Sequence, residues 1–175
     1  FLFKKLLEGK KNNLTLTFVN ALVEDLSLDL YGLSEVKTLH GYARGVLGKI
    51  TKDVEVFPKL VNIIHKDADI ILGKDIDFDH IFHNRTADKE LLDFYEQRRS
   101  YYGKYFGFPD IVLKLVEYFE KSLDNIPSYD YVLVDEFQDF NPLEISLIDS
   151  LSQKSPILLA GDDDQALYEE LKSAN

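Results

Sequence analysis

The stretch Tyr131-Val-Leu-Val-Asp135-Glu136 joins an apolar run to two adjacent carboxylates. A short apolar run bounded by polar residues predicts a buried β-strand. In an open α/β sheet the carboxyl ends of the strands face the ligand crevice, so Asp135 and Glu136 would be delivered there together. Such a pair suits a magnesium–nucleotide site, because one carboxylate can hold the metal while its neighbour polarises an attacking water. The alternative is a strand that simply ends in solvent.

Three more strand-like runs alternate with helical patterns, which predicts an α/β fold with a parallel sheet and crossover helices. The four predicted strands cover residues 14–19, 35–38, 129–134 and 156–160. Helices are predicted over about 21–30, 40–50, 109–126 and 141–151. The last of these opens with Asn141-Pro-Leu-Glu144, which combines an N-cap, a first-turn proline and a reciprocal glutamate. In the predicted helix over about 109–126, residues 111, 115, 119 and 123 are predicted to form one apolar stripe.

Residues 53–102 interrupt this alternation, and the sequence predicts a mostly helical insertion there. The pattern indicates a helix to about residue 66, an Asp-rich turn over 67–79 and a charged helix over about 86–100. His80 and His83 stand beside Asp77 and Asp79, but without a third well-placed ligand an ordinary acidic turn is favoured over a metal site. Basic and aromatic residues interleave over 95–106, which favours a packed aromatic face and leaves DNA contact as the alternative.

Composition and charge narrow the class of protein. The 175 residues are 45% hydrophobic and 29% charged, as in a globular protein, and include no cysteine. No apolar run approaches the ~20 residues that span a bilayer. We therefore expect a cytoplasmic protein without membrane partners.

The net charge of −11 argues against nucleic-acid binding at face value. However, residues 1–52 hold eight Lys or Arg against five Asp or Glu, whereas 129–175 hold two against eleven. This asymmetry permits separate faces for a polyanion and a divalent cation.

The fourth predicted strand is followed by Gly161-Asp-Asp-Asp-Gln165. Three adjacent carboxylates repel one another, so a cation or strong solvation is expected to offset them. The Gln165 amide both donates and accepts hydrogen bonds, and beside a phosphate it could position water. The alternative is an acidic helix N-terminus stabilised by the helix dipole.

Taken together, these segments resemble the UvrD/Rep-type superfamily 1 DNA helicases. Val134-Asp-Glu-Phe-Gln-Asp139 and Gly161-Asp-Asp-Asp-Gln-Ala-Leu-Tyr168 resemble motifs II and III of that family. Leu16-Thr-Phe-Val-Asn20 resembles its motif Ia, and Val36-Lys-Thr-Leu-His40 resembles the following single-strand contact motif. The order is that of the family, with an insertion where the family places its 1B subdomain. The resemblance implies a partial RecA-like (P-loop NTPase) motor domain at 1–52 and 103–175, with 53–102 as the 1B-like insertion.

The resemblance also implies ATP and Mg²⁺ as cofactors and a role for each motif residue. Asp135 would hold Mg²⁺, and Glu136 would orient and deprotonate the hydrolytic water. Gln165 would contact the γ-phosphate, and Gln138 would link the nucleotide and DNA sites. The residues implied to line the path of single-stranded DNA are Phe18, Asn20, Thr38, His40 and Tyr168. For Phe18 a place in the core of a strand is the alternative, and for His40 a buried hydrogen-bonding role at a helix start.

Departures from the family pattern limit these expectations. The Gly-rich Walker A loop would precede Phe1 and the arginine-bearing motifs of the second motor domain would follow Asn175, so the chain is expected to be an inactive fragment that works with the other helicase domains of its parent. Ala21 and Glu170 stand where the family usually has a basic and an aromatic residue. The alternatives are a non-catalytic nucleic-acid or protein binding module and the motor of a helicase–nuclease.

Overall fold

The computed structural model of the chain describes residues 2–51, 54–103 and 105–161. The strands are β1 (Asn13–Thr17), β2 (Glu35–Thr38), β3 (Glu55–Val56), β4 (Tyr105–Phe106), β5 (Tyr131–Val134) and β6 (Ile157–Leu159). The helices are α1 (Leu2–Leu7), α2 (Asn20–Asp29), α3 (Leu39–Ile50), α4 (Leu60–Leu72), α5 (Phe78–His83), α6 (Lys89–Tyr101), α7 (Phe108–Lys121) and α8 (Pro142–Ser152). Short 3₁₀ turns lie at Leu123–Asn125 and Phe137–Asp139.

The described residues form two compact units. The first, called the sheet unit, takes its residues from 1–42, 123–140 and 148–175. The second, called the helical unit, takes them from 43–122 and 141–147. The assignment of 1–52 and 103–175 to a motor domain and of 53–102 to an insertion stays a prediction.

The sheet unit contains four parallel strands in the order β2-β1-β5-β6. Leu14 of β1 pairs with Val132 of β5 and Leu16 pairs with Val134, and all four side chains are fully buried. Burial on both faces is expected of a parallel sheet that helices cover. Helix α2 packs against β1 and β2, and Leu7 of α1 joins a core cluster with Leu133. The α/β class with a parallel, helix-flanked sheet is thus confirmed.

The helical unit has an aromatic and aliphatic core of its own. Phe82 lies 4.7 Å from Tyr95 between ring centroids, in an edge-on arrangement that connects α5 to α6. The predicted stripe on α7 is buried at Ile111, Leu115 and Phe119. Leu123 does not belong to it, because α7 ends at Lys121 and the Leu123 side chain is 56% exposed. The parallel pair of β3 and β4 was not predicted.

The prediction of an Asp-rich turn over 67–79 is wrong at its start. Helix α4 continues to Leu72 and stops at Gly73, whose φ of 63° provides the left-handed C-cap. Asp67 is tolerated within the helix because its Oδ2 accepts hydrogen bonds from Arg98 Nε and from the Tyr102 hydroxyl, both at 2.7 Å. These two partners replace the solvent that a turn would have provided.

Another acidic residue of this region begins a helix. The Asp77 side chain accepts from the His80 backbone N–H at 3.0 Å and caps α5. In residues 2–51, 54–103 and 105–161 no group of three or more His, Cys, Asp and Glu is arranged to hold a metal ion. Across the same residues, no helix combines the length and the apolar character that a bilayer crossing requires.

Candidate functional site

Asp135 and Glu136 lie at the carboxyl end of β5, where main-chain hydrogen bonds to the neighbouring strands continue beyond the end of the strand. The Asp135 N–H donates to the Leu16 carbonyl at 2.8 Å, and the Phe137 N–H donates to the Ala160 carbonyl at 2.9 Å. The acid pair is therefore anchored on one side by the end of β1 and on the other by the end of β6. This is the edge at which parallel α/β sheets place their ligand sites.

Glu136 adopts an unusual backbone conformation. Its φ of 53° and ψ of 49° are left-handed, a region that side-chain-bearing residues seldom occupy. The conformation turns the chain directly into the 3₁₀ turn at Phe137–Asp139, and the Gln138 Nε2 then donates to Glu136 Oε2 at 2.6 Å. Strain of this kind costs on the order of 1–3 kcal/mol and is concentrated at functional sites. No pattern in the sequence indicated this conformation.

The electrostatics of the pair favour a bound cation. Partial burial raises the pKa of the Asp135 carboxyl, the negative charge of Glu136 raises it further, and a backbone hydrogen bond acts in the opposite direction. No lysine or arginine of the described ranges forms an ion pair with either acid. Within the described residues, hydrogen bonds but no ion pairs offset the repulsion between these carboxylates, and a divalent cation would relieve it.

Gly161 completes the site where the chain leaves β6. A Cβ atom at this position would overlap Gln138 Oε1 and would lie 3.3 Å from the backbone N of Phe137. Glycine allows the two loops to approach, which keeps Gln138 against Glu136. In the sequence, Gly161 stands out only as the first residue of a motif. The predicted site residues Gln165 and Tyr168 lie outside the described residues.

The predicted DNA contacts Phe18 and Asn20 follow directly after β1. Phe18 lies beyond the strand and is 46% exposed, so it is not a core strand residue. Its ring meets Phe140 edge-on, with centroids 5.9 Å apart and an interplanar angle of 84°. Asn20 is exposed at the first position of α2. Phe18 thus presents part of its aromatic surface to solvent, while the Phe140 ring that contacts it edge-on is buried.

Thr38 and His40 lie at the junction of β2 and α3. Thr38 pairs with Thr17 across the sheet, and its Oγ1 accepts from the Gly41 N–H at 3.1 Å. His40 is half-buried in the first turn of α3 and has interactions there. Thr38, Phe18 and Asp135 accordingly stand at the carboxyl ends of three neighbouring parallel strands. The structure brings the four described residues of the predicted DNA path and the acid pair to one edge of one sheet, whereas Tyr168 lies outside the described residues.

Comparison with known proteins gives the family of the chain. Residues 74–174 match the family described as the UvrD/REP helicase N-terminal domain. The chain is 25% identical over 77% of its length to an ATP-dependent helicase/nuclease subunit of Alkaliphilus metalliredigens, of which the match covers 11%. It is 32% identical over 45% of its length to a putative ATP-dependent DNA helicase of Bacillus subtilis, of which the match covers 11%.

A third relative is a DNA helicase II of Haemophilus influenzae. The chain is 35% identical to it over 35% of the chain's own length, and the match covers 9% of that helicase. The chain thus spans about a tenth of the length of these curated relatives. Because the family model matches more than half of the chain, the chain belongs to the UvrD/REP helicase N-terminal domain family.

Proposed function

We propose that this chain is part of the RecA-like motor domain of an ATP-dependent superfamily 1 DNA helicase that acts in the cytoplasm. In this proposal 1–52 and 103–175 form the motor domain and 53–102 the 1B-like insertion. The longer protein would couple ATP hydrolysis to movement along single-stranded DNA and to duplex unwinding, together with its other domains. The observation that carries the proposal is the sheet edge shared by the acid pair of β5 and the exposed Phe18 after β1.

The acid pair fits a Mg²⁺–nucleotide complex. Mg²⁺ in nucleotide sites is commonly held by one or two carboxylates, waters and phosphate oxygens, so the absence of a three-ligand cluster in the described residues is compatible with it. Asp135 would hold the ion, and the bound ion would neutralise charge on the phosphates. The raised pKa of Asp135 supports this assignment, because a cation would offset both the desolvation of the buried carboxylate and its repulsion by Glu136.

Glu136 would act as the general base, and its conformation supports the role. The left-handed backbone and the hydrogen bond from Gln138 fix the carboxylate, so that Glu136 would orient a water molecule and accept its proton. Gln138 would hold this carboxylate and connect it to the DNA-facing edge. Gln165, which follows β6 in sequence, would contact the γ-phosphate.

Single-stranded DNA would follow the strand ends beside the acid pair. Phe18 would stack a base, a contact worth ~1–3 kcal/mol that does not depend on base identity. Asn20, Thr38 and His40 would contact the backbone with small polar groups, and Tyr168 would contribute a second aromatic ring. The edge-on contact with Phe140 supports this role for Phe18, because it holds the ring in place before DNA binds.

Within residues 2–51, 54–103 and 105–161, β6 pairs with one strand only, and this supports a sheet that is wider in the longer protein. Strand β6 pairs with β5 on one side, and its residues Ile157, Leu158 and Leu159 are apolar. Nevertheless Leu159 is 52% exposed, whereas the apolar residues of β5 from Val132 to Val134 are buried. An apolar strand with exposed residues at the edge of a sheet is the arrangement expected when a further strand pairs with it.

Strand-stimulated ATPase activity of the longer protein tests the proposal. Hydrolysis that increases when single-stranded oligonucleotide is added would support a motor. Binding of the oligonucleotide with no hydrolysis would favour a non-catalytic module instead. A nuclease activity in the same protein would favour the motor of a helicase–nuclease, the candidate supported by the match to a helicase/nuclease subunit over 77% of the chain.

A further inference from the structure

An aromatic cleft of about 280 Å³ lies within the helical unit. The residues that line it are Phe57, Leu60, Ile63, Tyr102 and Tyr105. Leu60 is fully buried and forms part of the floor, whereas the Phe57 and Tyr105 side chains are 38% and 41% exposed. Aromatic side chains usually bury most of their surface, so two half-open rings facing one cleft mark a surface available to a ligand.

The walls of the cleft are held in place without a ligand. Phe57 and Tyr105 are connected through the β3–β4 pair, in which the Phe57 N–H donates to the Phe106 carbonyl at 2.9 Å. Their ring centroids are 6.1 Å apart with an interplanar angle of 60°. The Tyr102 hydroxyl donates to Asp67 at 2.7 Å, which fixes the third ring. A flat group entering the cleft could therefore stack on one ring and meet another at its edge.

Charge close in sequence to the cleft residues indicates the kind of ligand. Lys59 precedes Leu60, Lys66 lies three residues after Ile63 on the same face of α4, and both lysines are exposed. No carboxylate of the described ranges lies within ion-pair distance of either ammonium group. In a chain with a net charge of −11, two such lysines close in sequence to the open rings are complementary to a polyanion with flat apolar groups.

We propose that this aromatic cleft binds a base of single-stranded nucleic acid, with Lys59 and Lys66 beside the neighbouring phosphates. The inference rests on the proposed function and adds a second base-stacking site, in the helical unit, to the one at Phe18. Aromatic faces with flanking cations are the recurring means of holding single strands without reading their sequence. Glu55 pairs with Tyr105 across the β3–β4 ladder and opposes binding by its negative charge.

The test compares leucine variants that remove a ring but keep an apolar side chain. Fluorescence anisotropy would measure binding of a fluorescein-labelled oligothymidylate to the full chain, carrying Phe57→Leu or Tyr105→Leu. We expect about five- to hundredfold weaker binding for each, the range that base–aromatic stacking gives. Tyr105→Phe should bind like the wild type, and Glu55→Gln should bind more tightly. Tyr31→Leu is the matched control, because Tyr31 is 87% exposed and lies in the sheet unit.

An abasic oligonucleotide of the same length separates stacking from charge attraction. The wild type should bind it more weakly than oligothymidylate, and the Phe57→Leu and Tyr105→Leu variants should lose most of that difference. Circular dichroism would establish that the variants are folded. If Phe18→Leu weakens binding while Phe57→Leu and Tyr105→Leu do not, the cleft is not a base site and the proposed function stands. A chain that binds no oligothymidylate would contradict both.

Discussion

The side-chain amide of Gln138 donates a 2.6 Å hydrogen bond to the Glu136 carboxylate, two residues earlier on the same turn. The bond closes a small loop after β5 and fixes the direction of the proposed base. Because misplacement of a catalytic group by about 1 Å can cost 10²-fold in rate, Gln138 is expected to affect turnover through position.

Gln138→Ala should lower the kcat of strand-stimulated ATP hydrolysis in the longer protein by about 10- to 100-fold. The KM for ATP should change little, because the amide is assigned to holding Glu136. Steady-state ATPase kinetics would measure both parameters. Gln153→Ala removes an exposed amide after α8 and is the matched control. A Gln138→Ala enzyme with normal kcat would show that the hydrogen bond does not position the base.

Gly161→Ala should destabilise the sheet unit by about 1 kcal/mol, the lower end of the usual cost of overpacking, because the Gln138 side chain can move aside whereas the Phe137 backbone cannot. The added methyl group would overlap Gln138 and approach the Phe137 backbone at 3.3 Å. Urea denaturation would measure the free energy of unfolding. Gly48→Ala in α3 is the control, because no atom lies within 4 Å of its added Cβ and alanine favours a helix interior by up to about 1 kcal/mol. Equal stability of the Gly161→Ala variant and the wild type would contradict the close approach.

The stability of the chain should fall as pH rises from about 4 to about 8, because of Asp110. Its side chain is 1% exposed, and burial raises its pKa to about 8 despite the opposing charge of Arg99. Tyr95 lies beside the carboxyl, but neither group completes a hydrogen bond of good geometry within the described residues. Between the unfolded pKa of 3.8 and the folded value, the native state keeps a proton that the unfolded state releases. The contribution of Asp110 to the free energy of unfolding is therefore complete below pH 4 and is lost as the pH rises through 8.

Asp110→Asn should remove most of this pH dependence and increase stability at pH 8 by on the order of a few kcal/mol. Urea midpoints measured across this pH range would show a flatter profile than the wild type. Asp93→Asn, which alters an exposed acid on α6, should leave the profile unchanged. An Asp110→Asn profile as steep as that of the wild type would assign the pH dependence to other groups.

Asp135→Asn should stabilise the apo protein, most strongly at alkaline pH. Burial and Glu136 raise the pKa of Asp135, so its ionised form costs stability that the neutral amide does not. The difference in stability between Asp135→Asn and the wild type should shrink as the pH falls through the pKa of the Asp135 carboxyl. Millimolar Mg²⁺ should raise the thermal midpoint of the wild type and not that of Asp135→Asn. Asp139→Asn, an exposed neighbour, should keep the response to Mg²⁺. A Mg²⁺ shift retained in Asp135→Asn would place the ion elsewhere.

The centre of the sheet was predictable from sequence because β1 and β5 are buried on both faces, and β5 therefore appears as a short apolar run. Residues 156–160 also form an apolar run and contain β6, although Leu159 of that strand is exposed. The β3–β4 pair was not predictable, because two-residue strands far apart in sequence carry no periodicity. The length of α4 was missed because Asp67 is compensated by Arg98, a partner 31 residues away.

The site was predictable in its residue types and less so in its geometry. Because Asp135 and Glu136 follow the carboxyl end of a predicted strand, the direction of that strand determines which edge of the sheet carries the two acids. The left-handed conformation of Glu136 and the approach of Gly161 to Gln138 depend on the contact between two loops. Composition and spacing do not encode such contacts, so the sequence marks Gly161 only as the first residue of a motif, and the structure adds its contact with Gln138.

Glu136→Gln in the longer protein tests the central claim most directly. The amide keeps the shape of the side chain but cannot accept the proton of the attacking water. Strand-stimulated kcat should fall by at least about 100-fold, the lower end of what a general base contributes, while ATP affinity changes little. Asp149→Asn, which alters an exposed acid on α8, is the control and should retain turnover. Wild-type turnover in the Glu136→Gln protein would contradict the assignment of the acid pair to ATP hydrolysis.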